Sequence, residues 1–522
     1  MIEETPLDII PLGGLGEFGM NLTAYRYDGQ ILVVDCGLAF PTAETPGVDI
    51  LIPDTQFLTE NRDQVLGFLL THGHEDHIGA MPYVWPNVEG PIYGTPMTLG
   101  LLEGKFREHD LLDKARFIPV GYRQPFQLGP FTIEYLHVTH SIVDAASLVI
   151  STPLGRVIHT ADFNFDHTPV DGPPSDLFSL ARYGEEGVLA LLSDSTNVTV
   201  PGSTVTEREI APVFDKIFAT AKQLLIVATF SSNIQRIQLA IRAAVRAGRK
   251  IVLNGRSMVT NIRVARALGH ITVPADSIIE TKDIARYPRD RVMILSTGSQ
   301  GEPNSSLVRI GAGEHRDVQV QAGDTVILSS KFIPGNERAI WTLVNQLFRL
   351  GAEVIHEKNF PEIHVSGHAP QEDLRLMLAL TRPRFFLPIH GETRHLHRHR
   401  RLAIRMGVSP EKAIVAENGD IVRLDGRSIR VADRVACGRV FVDGKGIGDV
   451  GDIVLRDRRH LADFGLVVVV LVVEKSTGRI LQRPELLTRG VIHEDENQDL
   501  LEDAKEAVEQ AMAMGPKGMD FG

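Results

Sequence analysis

Cysteine is nearly missing from this chain: Cys36 and Cys437 are the only two in 522 residues. So few, so far apart, exclude a disulfide framework and point to a reducing compartment, the cytoplasm. The opening residues, MIEETPLDII, lack the cationic start and the long apolar stretch of a secretory signal. Long hydrophobic runs are also lacking. The longest, Leu466–Val473, has 8 residues, where a membrane helix needs about 20. It reads as a buried strand, and no membrane partner is expected. Positive charge is short as well: 54 Lys and Arg against 66 Asp and Glu leave a net −12. That balance excludes indiscriminate nucleic-acid binding over the whole surface, so any such site must be locally basic.

Core material is abundant, with 43% hydrophobic residues. A single core stops growing near about 250–300 residues, so two to four domains are expected. Up to about residue 200, short β-rich runs such as QILVVDCG, VLGFLLTHGH, FTIEYLHVTH and GRVIHTADF alternate with turn clusters and read as strands of buried sheets. At Thr206 the pattern changes. TERE reads as a capping box, with Thr206 reaching forward and Glu209 back, and helices then alternate with strands as in a parallel α/β unit. Strand ends bearing histidine return in IHVSGHAP and FFLPIHGE. The pattern predicts one catalytic domain, 1–205 and 356–440, interrupted by an inserted α/β domain, 206–355, and followed by a small β-rich domain, 441–522, that ends in an acidic helix.

HGHEDH, from His72 to His77, crowds three histidines and two carboxylates into six residues. His72, His74, Asp76 and His77 stand too close together to share one helical face. A loop at a strand end could aim them at two neighbouring points. Imidazole nitrogen and carboxylate oxygen suit Zn²⁺, or Mn²⁺ where oxygen is plentiful. His140, Asp162 and His390 each follow a strand-like run and are candidates to complete two metal shells. Two adjacent cations stabilise charge on both the attacking and the leaving oxygen of an in-line displacement. Asp35, in VVDCG, is a candidate to orient a ligating histidine. GLGEFG has the spacing of a dinucleotide-binding loop, but a hairpin follows it instead of a phosphate-facing helix; it reads as a tight turn at the floor of the site.

HGHEDH with His140, Asp162 and His390 resembles the metallo-β-lactamase superfamily. LLSDSTN, HVSGHA and PIHGE, in that order around an insertion, resemble its nucleic-acid-processing β-CASP branch. GGLGEFGMN, TFSSNIQRI, STGSQGEP and FIPGNE are similar to the ribonuclease J family, over about residues 5–450. The resemblance implies an αββα sandwich with an inserted parallel β-CASP domain and a C-terminal domain, here shorter than is usual. It implies two Zn²⁺, with Mn²⁺ as the alternative: His72, His74 and His140 on one, Asp76, His77 and His390 on the other, and Asp162 bridging. It assigns His368 as acid or transition-state donor, with Asp194 beside it. A pocket for a terminal 5′ phosphate is implied at Ser231, Ser232 and Asn233 and at His364, Val365, Ser366, Gly367 and His368. Asp49 and Asp443 are implied, faintly, as a structural Ca²⁺ site.

The activity implied is 5′→3′ exonuclease and endonuclease cleavage of single-stranded RNA, with preference for 5′-monophosphate ends, in mRNA decay and rRNA maturation. A homodimer or larger oligomer and partners in RNA-degradation complexes are implied with it. Two basic stretches, 236–250 and 394–401, are candidate phosphate-tracking surfaces. The rival readings are a DNA-directed β-CASP nuclease, a small-molecule lactonase or thioesterase, and a catalytically inert RNA-binding scaffold.

Overall fold

The computed structural model describes residues 5–42, 45–333, 335–444, 446–475, 477, 479–492 and 497–514. The chain forms two compact units, one of residues up to Ala39 with Ile52–Arg439, the other of Phe40–Leu51 with the chain from Val440 onward. The first holds three principal sheets. An eight-stranded mixed sheet runs from Ile429–Arg434 through Leu7–Gly13 and Gln30–Val34 to Phe117–Pro119. A six-stranded sheet runs from Phe385–Ile389 through Ala190–Asp194 and Gly155–His159 to Phe126–Leu128. Alternating side chains of both, among them Ile9, Tyr25, Leu32 and Val34 from the first and Tyr135, Leu148, Leu192 and Phe385 from the second, fill one buried core. Helices cover the outer faces, giving the αββα sandwich. Its strands are nearly continuous apolar runs because both faces are covered.

The third sheet has five parallel strands, ordered Lys250–Asn254, Val292–Ser296, Leu225–Ala228, Thr325–Leu328 and Glu353–His356, with a core of its own. It is inserted where the chain leaves Ala190–Asp194 and comes back as Phe385–Ile389. The two strands pair in parallel, with Asp194 opposite Ile389. Helix Ile210–Thr220 opens the insert one turn later than TERE suggests. Thr206 caps a short 3-10 turn, accepting from the Arg208 N–H, and donates its hydroxyl to Asp166. The reciprocal capping box does not form.

In the second unit, helices Asp452–Phe464 and Gln498–Met514 flank a two-stranded hairpin of Leu466–Val473 and Ile480–Arg489. Leu466–Val473 is a strand, but it is not buried: Val467, Val468, Val469 and Val470 are each more than 40% exposed. Valine's preference for a pleated backbone explains the strand, and burial does not. The acidic stretch expected from residue 494 is helical from Gln498, and 494–496 lie outside the described residues.

Asp8 ties three strands of the large sheet. It lies opposite Arg26 and Arg423 in the strand register and accepts from Arg26 at 2.8 Å and from Arg423 at 2.7 and 3.0 Å. Burial opposes its charge, but the two guanidinium groups outweigh burial and hold its carboxyl below the usual 3.8. The pair's contribution is therefore full above the unfolded carboxyl's value and is lost as pH falls through the depressed one. Asp8→Asn should cost about 1–2 kcal/mol at neutral pH, after allowing for the partly exposed arginines. The gap in melting temperature from the parent should narrow as the pH falls through that depressed value; a gap that stays constant into acid would refute this account.

A candidate two-metal centre at the strand ends

The site is built on the loops that follow five strands. Strand Val65–Leu69 leads into Thr71 to His74, and His74 sits at the start of the short helix Glu75–Ile78. The backbone fastens this loop to the one after Gln30–Val34. Cys36 N–H donates to His77 O at 2.7 Å, Leu38 N–H to Glu75 O and Asn21 N–H to Asp76 O, both at 3.0 Å. The approach is so close that a Cβ on Gly37 would lie 1.6 Å from Asp76 O, so only glycine fits there. Asp35, Ala161 and His390 adopt φ of 58°, 51° and 53°, each at or just beyond a strand end. Non-glycine residues pay about 1–3 kcal/mol for that conformation, which persists where the surrounding structure enforces it.

Seven side chains converge in two adjoining groups that share Asp162. In the first, His72 Nε2 and His140 Nε2 each lie 3.1 Å from His74 Nδ1 and 3.7 Å from Asp162 Oδ2. In the second, His390 Nε2 lies 3.3 Å from Asp76 Oδ2 and 3.5 Å from Asp162 Oδ1, and His77 Nε2 is 3.3 Å from Asp162 Oδ2. Within each group the donor atoms all fall within 4.8 Å of one another.

Behind these donors stands a ring of orienting partners. Asp35 accepts from His77 Nδ1–H, the Thr71 N–H and the Thr71 hydroxyl, each at 2.8 Å. His140 Nδ1–H donates to Gly367 O at 2.7 Å, and His390 Nδ1 meets the Thr196 hydroxyl at 2.7 Å. Each of these bonds leaves Nε2 free to face the shared space, the arrangement that metal-binding histidines use. On the protein's own charges, burial holds His72 well below 6.5, His74 at about 4 and His140 at about 3, so these three offer free lone pairs. Burial also opposes charge on His77, but the carboxylates of Asp162, Asp76 and Asp35 outweigh it and push the ring up to about 10.

The donor set fits a pair of divalent cations. Asp162 Oδ1 is buried and has no hydrogen-bond partner, and convergent imidazole nitrogens cannot all be satisfied by one another. His72, His74, His140 and Asp162 would hold one ion, and Asp76, His77, His390 and Asp162 the other.

His368 Nδ1 lies 2.9 Å from Asp194 Oδ2, and its ring stacks 5.4 Å from that of His390. Val365, Ser366 and Gly367 join Asn233 in lining a small polar cavity beside His140. His364 is set behind that segment, and Ser231 and Ser232 are not part of the lining. Ser231 accepts from Asn261, and the cap of helix Ile234–Arg246 is Asn233, which accepts from Arg236 N–H at 2.9 Å; Ser232 does not cap it.

Asp49 and Asp443 form no cation cluster among the described residues: Arg458 takes Asp443 at 2.7 Å, and Asp49 accepts from Gly444 N–H. Of the basic run 236–250, Arg242 and Arg246 reach the surface. Arg236 and Arg249 are buried, and Arg246 pairs with Asp215. In 394–401, His395 and His399 are buried, Arg400 bonds Ala413 O and Pro410 O, and Arg398 and Arg401 stay exposed.

Sequence reasoning gave no role to Asn21, Asn164, Thr196 and Asn197. Asn21 Nδ2 donates to Asp76 O and sits 3.1 Å from His77 Nε2; Asn164 bonds Ser366 O, and Asn197 bonds Ser366 Oγ and His368 O. The glycine-rich loop, as expected, lies under the site: Gly13, Gly14 and Leu15 line a cavity with Asp35, His77, Asp162 and His390.

This sandwich with paired metal pockets at its strand ends defines a hydrolase of the metallo-β-lactamase fold, and the inserted parallel sheet places it in the β-CASP class. Residues 32–178 match the beta-lactamase superfamily domain, 222–347 the β-CASP domain of ribonuclease J, 361–415 the Zn-dependent metallo-hydrolase RNA specificity domain, and 453–520 the ribonuclease J C-terminal domain. Ribonuclease J of Helicobacter pylori (strain ATCC 700392 / 26695) is 42% identical over 502 residues, 96% of this chain and 73% of that protein. Ribonuclease J of Thermus thermophilus is 45% identical over 89% of this chain and 82% of its own, and ribonuclease J 1 of Streptococcus pyogenes serotype M3 is 40% identical over 99% and 92%. A crystal structure of a protein of unknown function from Enterococcus faecalis V583 shares the fold, with a TM-score of 0.56 at 16% identity over 80% of this chain and 100% of that one. The chain belongs to the ribonuclease J family, and it is a metal-dependent ribonuclease.

Replacing Asp35 tests the ring of orienting partners. Asp35→Asn keeps the size and the tolerance of positive φ but removes the charge facing His77. Metal affinity, measured by competition with a chelator, should fall about 10–100-fold while circular dichroism stays unchanged. Undiminished affinity would mean that Asp35 does not orient His77.

Proposed function

We propose that this protein degrades single-stranded RNA from 5′-monophosphate ends, releasing mononucleotides 5′→3′, and also cleaves internally, in mRNA decay and rRNA maturation in the cytoplasm. The observation that carries the reading is the small polar cavity of Asn233, Val365, Ser366 and Gly367 directly beside His140. These are residues to which the family resemblance assigns a terminal 5′ phosphate; Asp166 and Glu207 also line the cavity, Glu207 paired with Arg236, and so small a space disfavours a triphosphate. Among the described residues no helix is long and apolar enough to cross a membrane.

Zinc is the metal this donor set favours, with manganese as the alternative, because histidine nitrogen outnumbers carboxylate oxygen. When bound, the pair would supply Lewis-acid activation and charge stabilisation at the scissile phosphate. The protein's own groups do the rest. His368 keeps a proton on Nδ1 toward Asp194 and offers Nε2–H to the leaving oxygen as general acid. Burial opposes a charged ring there, but Asp194 and Asp162 outweigh it and raise His368 above 6.5, which favours its protonated form. Asn197, bonded to His368 O and Ser366 Oγ, keeps the acid and the phosphate segment in one register.

The reading takes in the domain limits 1–205, 206–355, 356–440 and 441–522. It also takes in assembly as a homodimer or larger oligomer and association with other components of RNA degradation.

The decisive comparison sets 5′-monophosphate, 5′-triphosphate and 5′-hydroxyl RNAs against matched DNA, scoring mononucleotide release with and without chelator. The monophosphate RNA should be cleaved fastest and chelation should stop all cleavage; equal rates on the three ends would refute the terminal-phosphate reading, and faster cleavage of DNA would favour a DNA-directed enzyme. His77→Ala should abolish cleavage, and His368→Ala should slow it by about 10²–10⁴-fold, with RNA affinity little changed in both. Near-parental activity in either variant would remove that residue from its role.

A further inference from the structure

Segment 363–368 follows a 3-10 turn at Pro361–Ile363 and joins no sheet among the described residues. Buried peptide groups outside a sheet must find partners one at a time. On one side Asn164 Nδ2 donates to Ser366 O at 3.2 Å and Asn197 Nδ2 to His368 O at 2.9 Å. On the other side alternate carbonyls are taken. Ile363 O and Val365 O lie 3.4 Å from Arg236 Nη1 and Nη2, and Gly367 O accepts from His140 Nδ1–H.

Arg236 is completely buried, in the first turn of helix Ile234–Arg246. A buried guanidinium costs several kcal/mol unless it is paired and its donors are filled. Glu207 takes Nε at 2.5 Å and Nη2 at 2.8 Å in a forked pair. Ser329 takes Nη1 with both its carbonyl, at 3.0 Å, and its hydroxyl, at 2.7 Å, and that hydroxyl donates onward to Ile363 O at 2.7 Å.

Nη1 also lies 3.4 Å from His364 Nδ1. Both hydrogens of Nη1 are taken by Ser329, and a cation beside the ring favours a lone pair on Nδ1 with the proton on Nε2. Burial first, then the charges of Arg236 and Lys331, keep the ring well below 6.5 and neutral. Nε2 is itself buried and has no hydrogen-bond partner.

We propose that Arg236, locked by Glu207 and Ser329, is a positioning residue for terminal-phosphate recognition: it sets the line of 363–367, which carries Val365, Ser366 and Gly367 into the small polar cavity. It makes no contact with RNA itself. The proposal rests on the 5′-monophosphate reading above.

The test uses two variants. The double change Glu207→Gln with Arg236→Met removes the pair without stranding a buried charge, and Ser329→Ala cuts the hydroxyl link to Ile363 O alone. Two readouts are taken on the metal-loaded protein. One is the ratio of cleavage rates on 5′-monophosphate and 5′-hydroxyl RNA; the other is the rise in melting temperature with uridine 5′-monophosphate over that with uridine. The rate ratio should fall by about tenfold in the double variant and about threefold in Ser329→Ala, the scale of one hydrogen bond to a charged group. The nucleotide-specific rise in melting temperature should shrink in parallel. Metal content and the rate on 5′-hydroxyl RNA should stay within about threefold of the parent, a margin under 1 kcal/mol. A folded variant that keeps the parental ratio overturns the proposal, as does an equal fall on both RNAs, which would mark a merely structural role. If the double variant does not fold, Ser329→Ala decides. A parent protein indifferent to the terminal phosphate overturns the underlying reading and this proposal with it, and it is scored before any variant.

Discussion

Everything at this site depends on how the lone pairs around Asp162 are satisfied. Imidazole nitrogens from His72, His74 and His140 and from His77 and His390 are aimed into two adjoining spaces, with a carboxylate oxygen that has no hydrogen-bond partner between them. Hydrogen bonds among these groups cannot meet that demand, because too many acceptors face one another. Two divalent cations can. The fold commits to them in advance by fixing the second nitrogen of three of these rings, through Asp35, Gly367 O and Thr196. It also holds Asp35, Ala161 and His390 in backbone conformations that cost energy. Strain and unmet polarity gathered in one place are what a binding centre looks like before its ligand is considered.

The insertion is arranged so that it does not disturb this centre. The strand before it and the strand after it are parallel neighbours, so Asp194 and His390 meet whatever lies between them. The insert then adds what a bare sandwich lacks. Its helix Ile234–Arg246 carries Arg236 in the first turn and Asn233 as the cap, and the returning chain carries 363–368 across to His140. The metal pocket and the small polar cavity thus share one stretch of backbone: Gly367 presents its carbonyl to His140 while Val365 and Ser366 line the cavity.

Much of the centre was legible because its residues obey a local rule. HGHEDH, His140, Asp162 and His390 each follow an apolar run, and in a covered sheet such a run ends where the chain emerges at the edge. The failures share a different cause. Arg236 belongs to a basic stretch that reads as surface, yet it is buried, because Glu207 and Ser329 come to it from positions distant in sequence. Leu466–Val473 reads as interior and stands exposed in a two-stranded hairpin. Asp443 reads as a cation ligand and is paired with Arg458. In each case the residue's own type was read correctly and its partner was invisible.

The sequence by itself determined a catalytic domain interrupted by an α/β insert, the chemistry of the donors and the class of reaction, since periodicity, strand ends and ligand type are properties of short stretches; the sandwich followed from the family resemblance. Only the tertiary structure decided which nitrogen of each histidine faces the shared space, and that Arg236 is enclosed behind His364. Those outcomes turn on contacts between segments one to two hundred residues apart. Hydrogen-bond direction and burial are fixed by such pairings, and no stretch of chain carries them alone.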